Sequence, residues 1–140
     1  FIKNNCIIKC SKSFIKSNDL NVSIHKNIDN KKLIEEMNKH KYYISSSLFE
    51  GNPKTVLEAM SAGCVVIASD IKNHKEIIKD SENGFLFDLL KFDFLDKLIS
   101  IESDSNIQKN ISKKAVESVV KHNHIDVIST KTYSDYKLLI

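Results

Sequence analysis

Short apolar runs of strand length recur along the chain as far as Phe87. Most of them are continuous, as in strands buried on both faces of a parallel sheet, and one alternates apolar with polar residues. Polar or turn-forming residues separate the runs. The runs predict strands within residues 1–10 and at residues 22–28, 42–45, 64–68 and 85–87.

Amphipathic stretches lie between and after these runs. Asp29 or Asn30 is placed to cap the first, whose buried face would hold Leu33, Ile34 and Met37. The apolar spacing predicts helices at residues 30–40, 53–62, 76–79, 94–101, 107–120 and 125–139. Strands that alternate with helices, followed by a helical tail, predict an α/β fold with a Rossmann-like, doubly wound parallel sheet and helices on both faces.

The helix at residues 53–62 has the clearest boundaries. Asn52 is a favoured N-cap, Pro53 a favoured first helical residue and Gly63 a residue that ends helices. The loop before it, residues 46–52, follows a predicted strand, and ligands of open parallel sheets bind at the carboxyl ends of the strands. Because Gly51 leaves the backbone accessible and the first helical N–H groups favour an anion, this loop and helix end form the best candidate phosphate site.

Two carboxylates belong to this segment. Glu50 lies in the loop, and Glu58 lies on a mostly apolar helix whose side chains lean towards its N-terminus, so both can reach one pocket. An ion pair between Glu58 and Lys54, with Glu50 merely exposed, is the alternative, although such a pair stabilises a helix only slightly. A vicinal diol is a better partner, because each carboxylate oxygen can accept one hydroxyl proton.

The composition is that of an ordinary globular domain, with 41% hydrophobic and 28% charged residues in 140 and a net charge of +3. All 21 basic residues are lysines, and they are scattered, which argues against sequence-specific nucleic-acid binding. No apolar run approaches the ~20 residues of a membrane span. The chain begins at Phe1 without a leader, and we expect it to be part of a longer protein.

Three cysteines, Cys6, Cys10 and Cys64, indicate a reducing compartment without a disulfide framework. A metal site would need further ligands, for which His25 or His74 could be nominated, but neither has ligand spacing to the cysteines. We therefore predict buried, unreactive cysteines and no metal.

The residues from Glu50 to Asp70, E-G-N-P-K-T-V-L-E-A-M-S-A-G-C-V-V-I-A-S-D, contain an E-x7-E motif, and E-I-I-K-D-S-E-N-G-F-L follows from Glu76. This string resembles the C-terminal, donor-binding domain of GT-B glycosyltransferases of the retaining group 1 family (family 4-like). The similarity covers about residues 22–87 well and the helical tail loosely.

The resemblance implies roles for individual residues. Glu50 would approach the hydroxyls of the donor sugar and act in catalysis, and Glu58 would hold the ribose diol. His25 would lie near the nucleotide base, unless it is a surface histidine at a strand end. No metal or other cofactor is implied. The backbone that meets the diphosphate would be that of Gly51, Asn52, Pro53, Lys54 and Thr55.

The implied activity is transfer of a sugar from a nucleotide-diphosphate sugar to a glycan or lipid-linked acceptor, as in polysaccharide biosynthesis. A sugar-nucleotide epimerase or a non-catalytic nucleotide-sugar-binding domain on the same scaffold is the alternative. The implied location is the cytoplasm. Peripheral association with the cytoplasmic face of the membrane, through the missing half of the protein, is left open as an alternative. The implied partners are the nucleotide sugar, the acceptor and the protein's own N-terminal domain, and not nucleic acid.

The sequence also departs from the family pattern. Lys26 occupies a position that is usually glycine, and Lys72-Asn73-His74 stands where many members have a glycine pair. The family's basic pair that neutralises the leaving diphosphate, and its acceptor-binding domain, lie upstream of Phe1. We therefore expect residues 1–140 to be part of a C-terminal domain, with a helical tail from about residue 106, and to transfer no sugar in isolation.

Overall fold

Four parallel strands form the sheet of this computed structural model, which describes residues 6–9, 28–91 and 93–137. The strands follow one another across the sheet as β1 (Cys6–Lys9), β2 (Tyr42–Ser45), β3 (Val65–Ser69) and β4 (Phe85–Phe87). The predicted strands are therefore confirmed, although β3 begins one residue later than expected. Residues 22–27 of the remaining predicted strand lie outside the described residues.

Helices join and follow the strands. Asp29 caps the first of them, as one of the two predicted candidates, and its side chain accepts the Lys32 N–H at 2.9 Å. The helices described are α1 (Asn30–Met37), α2 (Lys54–Ser61), α3 (Lys72–Lys75), α4 (Phe94–Glu102), α5 (Ser105–Asn123) and α6 (Ile125–Lys137). All the predicted helices are present except the short one at residues 76–79.

That short helix was misplaced, because α3 occupies residues 72–75 and ends where the prediction begins. The N–H groups of residues 77 and 78 both donate to the His74 carbonyl, which closes the helix. The Lys79 N–H then donates to the Asn83 side chain at 2.7 Å, so a side-chain bond replaces the next helical one. A buried asparagine in the following turn therefore competes with helix formation here.

The start of α2 also differs from the prediction. Asn52 is not the N-cap, because Pro53 occupies that position with φ −80° and ψ 61° and the helix begins at Lys54. These angles are those of an inverse γ-turn, in which the Lys54 N–H donates to the Asn52 carbonyl at 2.8 Å. Pro53 therefore precedes the helix, and no side-chain hydrogen bond caps it.

The sheet separates two hydrophobic clusters, which confirms helices on both faces. Alternate residues of β2, β3 and β4 face opposite sides, so Tyr43 and Val66 pack on one side while Ile44 and Ile67 pack on the other. The first side is covered by α1 and α2, and the second by α4. Helix α5 runs along both clusters, with Ala115 in the first and Ile111 in the second. This is the layered α/β architecture that the sequence predicts.

One predicted core position is wrong. Ile34 is 42% exposed, whereas Met37 of the same helix is buried and Leu33 packs against the first cluster. Helix α1 contributes a narrow buried stripe to this side of the sheet, and Ile34 lies beside that stripe.

Two features around α2 and β3 agree with the sequence. Gly63 has φ +77°, the left-handed conformation that ends helices, and follows the end of α2. Cys64 is buried, as predicted, and its thiol donates to the Met37 carbonyl at 3.3 Å. Cys10 and the side chain of Cys6 lie outside the description. Within the described ranges, no helix combines the length and apolar character needed to cross a membrane.

Candidate functional site

The candidate site lies at the edge where β2 and β3 end. Residues 46–53 leave β2 and lead into α2, while residues 70–71 leave β3 and lead into α3. Because the strands are parallel, these two connections meet on the same edge of the sheet. The sequence-predicted loop therefore lies where ligands of such sheets bind.

Glu50 is half-buried in this loop. Its carboxylate accepts a hydrogen bond of 2.6 Å from the Ser47 hydroxyl, three residues earlier. The loop is also bonded to the segment after β3, since the Ser69 hydroxyl donates to the Ser47 carbonyl at 2.5 Å and the Asn73 amide donates to the Gly51 carbonyl at 3.0 Å. Glu50 is thus oriented by Ser47 within a loop that is hydrogen-bonded to the end of β3 and to α3.

Glu58 is half-buried on α2. Among the side chains of residues 28–91 and 93–137 that the structure describes, no cation lies within 4.0 Å of its carboxylate, so the alternative ion pair with Lys54 is not formed. Glu58 lines an open depression of about 390 Å³ between α1, α2 and α5. The other lining residues are Ile34, Asn38, Leu57, Ser61, Ala62, Val119 and Asn123.

Tyr43, in β2, was not predicted as a site residue. Its buried hydroxyl donates to the Thr55 hydroxyl at 3.0 Å. The pKa of Tyr43 is raised to about 12, mainly by burial and also by the negative charges of Glu50 and Glu58, against the lowering effect of that hydrogen bond. Both carboxylates are therefore near enough to act on one hydroxyl group. The signal in the sequence is a tyrosine inside a buried strand, whose hydroxyl needs a partner.

The other predicted donor-binding residues line the start of α2. Gly51, Asn52 and Lys54 are exposed, whereas Pro53 is buried and Thr55 is half-buried. The Val56 and Leu57 N–H groups donate to the Pro53 carbonyl, and the Thr55 N–H has no acceptor among the described residues. His25 lies outside the described residues. The structure thus collects the loop residues at one helix end, while their individual roles remain predictions.

His74 was nominated as a metal ligand and has a different environment. Its side chain is fully buried, and Nδ1 lies 2.8 Å from the Ser69 carbonyl. A carbonyl can only accept, so Nδ1 carries the proton and donates this bond. Across the described part of the chain, no group of three or more metal-ligating side chains comes together.

Comparison with known proteins identifies the family. Residues 9–118 match the family described as glycosyl transferases group 1. The UDP-Gal:α-D-GlcNAc-diphosphoundecaprenol α-1,3-galactosyltransferase of Escherichia coli is 32% identical over 101 residues, which cover 64% of this chain and 26% of that protein. The chain spans 10–26% of the length of the curated relatives it matches.

Solved structures give the same result. The C-terminal domain of a group 1 family glycosyl transferase, LpcC of Francisella tularensis, superposes with a TM-score of 0.66 at 29% identity, covering 73% of this chain and 53% of that one. A mutant of Staphylococcus aureus TarM, crystallised with fondaparinux, α-GlcNAc-glycerol and UDP, superposes with a TM-score of 0.67 at 25% identity, covering 74% of this chain and 21% of that one. The chain belongs to the group 1 glycosyltransferase family, and its fold is that of a GT-B C-terminal domain.

Proposed function

We propose that this chain binds the donor in a glycosyltransferase that moves a sugar from a nucleotide-diphosphate sugar to a glycan or lipid-linked acceptor with retention of configuration. The observation that carries the proposal is that the loop with Glu50 leaves the carboxyl end of β2 and leads directly into α2, which carries Glu58, while both carboxylates act electrostatically on the Tyr43 hydroxyl that donates to Thr55. The family membership of residues 9–118 supports it.

The diphosphate would lie against the start of α2. The Thr55 N–H is available there, and helix N-termini favour anions. Lys54 is exposed beside it and adds a positive charge. Together with the basic pair expected upstream of Phe1, these groups would bind the diphosphate without a metal. Nucleotide affinity and activity of the full-length protein should therefore both survive EDTA, and their loss in the chelator would contradict a metal-free site.

The two carboxylates would bind different parts of the donor. Glu58 has no cation partner among the described side chains and lines an open depression, so its oxygens are accessible to the ribose diol. Glu50 is oriented by Ser47 at the loop, where it would accept hydrogen bonds from the sugar. The sugar ring gains positive charge as the glycosidic bond breaks, so the Glu50 carboxylate would stabilise the transition state more than the bound donor.

UDP and UDP-sugars are the first compounds to test. One relative is named for UDP-Gal, and the TarM mutant was crystallised with UDP. Binding of UDP to the full-length protein can be measured by calorimetry, and turnover by UDP release from UDP-galactose, UDP-glucose and UDP-N-acetylglucosamine. Product analysis distinguishes a glycoside from an epimer, and an epimer would establish the alternative function.

Substitution of the two carboxylates tests the assignment. Glu58→Gln should weaken UDP binding by about 1–3 kcal/mol, because charge-assisted hydrogen bonds to the ribose are lost in every nucleotide complex. Glu50→Gln should leave UDP affinity nearly unchanged and lower kcat by roughly 10²-fold. Glu35→Gln, on the exposed face of α1, is the matched control and should change neither. The opposite pattern would reverse the roles, and no effect from either change would place the site elsewhere.

A further inference from the structure

The loop that carries Glu50 is attached to the next β–α connection by two side-chain hydrogen bonds. The Ser69 hydroxyl bonds the Ser47 carbonyl, and the Asn73 amide bonds the Gly51 carbonyl. These carbonyls belong to residues three before and one after Glu50. The two bonds therefore hold the backbone before and after Glu50, and the Ser47 hydroxyl, in the same loop, orients the Glu50 carboxylate.

Core packing does not hold this part of the loop. Leu48 and Phe49, the two apolar residues next to Glu50, are 82% and 81% exposed. A loop whose apolar side chains face outward gains little from burial and depends on its polar contacts for a fixed geometry. The contacts from Ser69 and Asn73 therefore contribute to fixing the position of the Glu50 backbone.

A buried hydrogen bond anchors the end of β3 and the start of α3, which supply these contacts. Ser69 and His74 are both fully buried, and the His74 Nδ1–H donates to the Ser69 carbonyl. The Ser69 hydroxyl is directed to the Ser47 carbonyl, so the end of β3, the start of α3 and the loop form one connected network. The His74 Nε2 atom is buried without a partner among the described residues, which is consistent with the neutral Nδ1–H tautomer.

We propose that Asn73 and Ser69 are positioning residues that hold the Glu50 loop in the geometry needed to act on the donor sugar. The inference rests on the proposed function, in which Glu50 contacts that sugar. This positioning role accounts for Ser69 at the end of β3 and Asn73 in α3. An apolar side chain at either position could not donate a hydrogen bond to the Ser47 or Gly51 carbonyl. A small displacement of a reacting group can lower a rate substantially even when binding is kept.

Kinetics of single and double variants test the proposal. Asn73→Ala removes the amide donor and should lower kcat for UDP-sugar turnover by roughly 2- to 10-fold, the factor that corresponds to one net hydrogen bond. UDP affinity should fall by a smaller factor, because Glu58 lies on α2 and outside the loop. Ser69→Ala should act in the same direction. Asn106→Ala, an exposed asparagine on α5, is the matched control and should have no effect.

A double-variant cycle separates positioning from a general structural effect. If Asn73 acts through Glu50, Asn73→Ala should lower kcat little further in the Glu50→Gln background. An equal fall in both backgrounds would overturn the inference, as would an unchanged kcat in the single variants. Either result would leave the proposed function intact if the wild-type protein turns over UDP-sugars.

Hydrogen exchange makes the structural part independent of activity. Amides of residues 46–52 should exchange faster in Asn73→Ala and Ser69→Ala than in the wild type and in Asn106→Ala, by roughly the factor of one lost hydrogen bond. Unchanged exchange would overturn the inference whatever the activity. If the wild-type protein neither binds UDP nor turns over UDP-sugars, the proposed function fails. Faster exchange in the variants would then show only that Ser69 and Asn73 hold the loop.

Discussion

Replacement of Gly51 by alanine separates what the fold requires from what a ligand requires. A Cβ atom at Gly51 would meet nothing within 4 Å, the residue is exposed, and its φ is not in the left-handed range. The folded chain can therefore accept the substitution without strain. Because alanine restricts the unfolded chain, Gly51→Ala should stabilise the protein by about 0.4–1 kcal/mol.

The same methyl group should be harmful to the complex. In the proposed function the diphosphate lies against the backbone of residues 51–55, and a Cβ at Gly51 would hold it away. The loss of one charge-assisted hydrogen bond costs about 1.5–3 kcal/mol, so UDP affinity should fall by roughly 10- to 100-fold. Thermal unfolding without ligand and calorimetry with UDP on the same preparation measure the two effects separately.

The other two glycines are matched controls, since each is needed by the fold. A Cβ at Gly84 would lie 3.1 Å from a methyl carbon of Ile78 and 3.2 Å from the Val66 carbonyl oxygen, so Gly84→Ala should destabilise by about 1–3 kcal/mol. Gly63→Ala should cost about 1–2 kcal/mol because φ is +77°. Both should retain UDP affinity at a temperature where they are folded. The reasoning is refuted if Gly51→Ala destabilises the protein or binds UDP as tightly as the wild type.

Two further predictions concern the stability of the scaffold. Asn83 is buried and bonds two backbone groups of its own turn and the Ser118 hydroxyl; Asn83→Ala should lower the free energy of unfolding by about 2–4 kcal/mol, and Ser118→Ala by about 1 kcal/mol, in chemical denaturation. The Tyr42 hydroxyl, which donates to Glu102, lowers the pKa of that carboxyl below its ordinary value of 4.5. Because the pKa of Glu102 is lower in the folded than in the unfolded chain, its ionised form gives stability that is present above the unfolded-state pKa and is lost as the pH falls through the folded-state pKa. Tyr42→Phe should therefore reduce the fall in melting temperature between about pH 5 and pH 3. An unchanged acid slope in that variant would show that this pair does not contribute.

The strands β2, β3 and β4 were predictable because each buries almost every residue. In β2 and β3 all the residues are buried, and such continuous apolar runs leave little choice of structure. The start of α2 was not predictable from capping preferences alone. Asn52 and Pro53 fit a cap and a first helical residue, but the γ-turn at Pro53 satisfies the Lys54 N–H before the helix begins. Residue preferences describe average helix ends, and here the local hydrogen bond decided the outcome.

The location of the candidate site was predictable, whereas its internal contacts were not. A strand, a loop with Gly51 and a helix are contiguous in sequence, so their order is enough to place the loop at the sheet edge. The bond from Asn73 to Gly51 joins residues 22 apart, as does that from Ser69 to Ser47. Such pairs depend on how two β–α connections meet in space, and a single sequence carries no signal for them.

A glycine pair is expected in place of Lys72-Asn73-His74 in many group 1 members, and the contacts of this segment show what its side chains do here. A glycine at residue 73 could not donate to the Gly51 carbonyl, and a glycine at residue 74 could not bond the buried end of β3. Buried polar groups are costly unless they are bonded, so Ser69 and His74 persist inside the fold because their bonds to each other and to Ser47 offset that cost. A glycine pair would leave the backbone accessible to a ligand at this edge. This chain instead has side chains that bond its own loop, and in the inference above these bonds hold Glu50 in position.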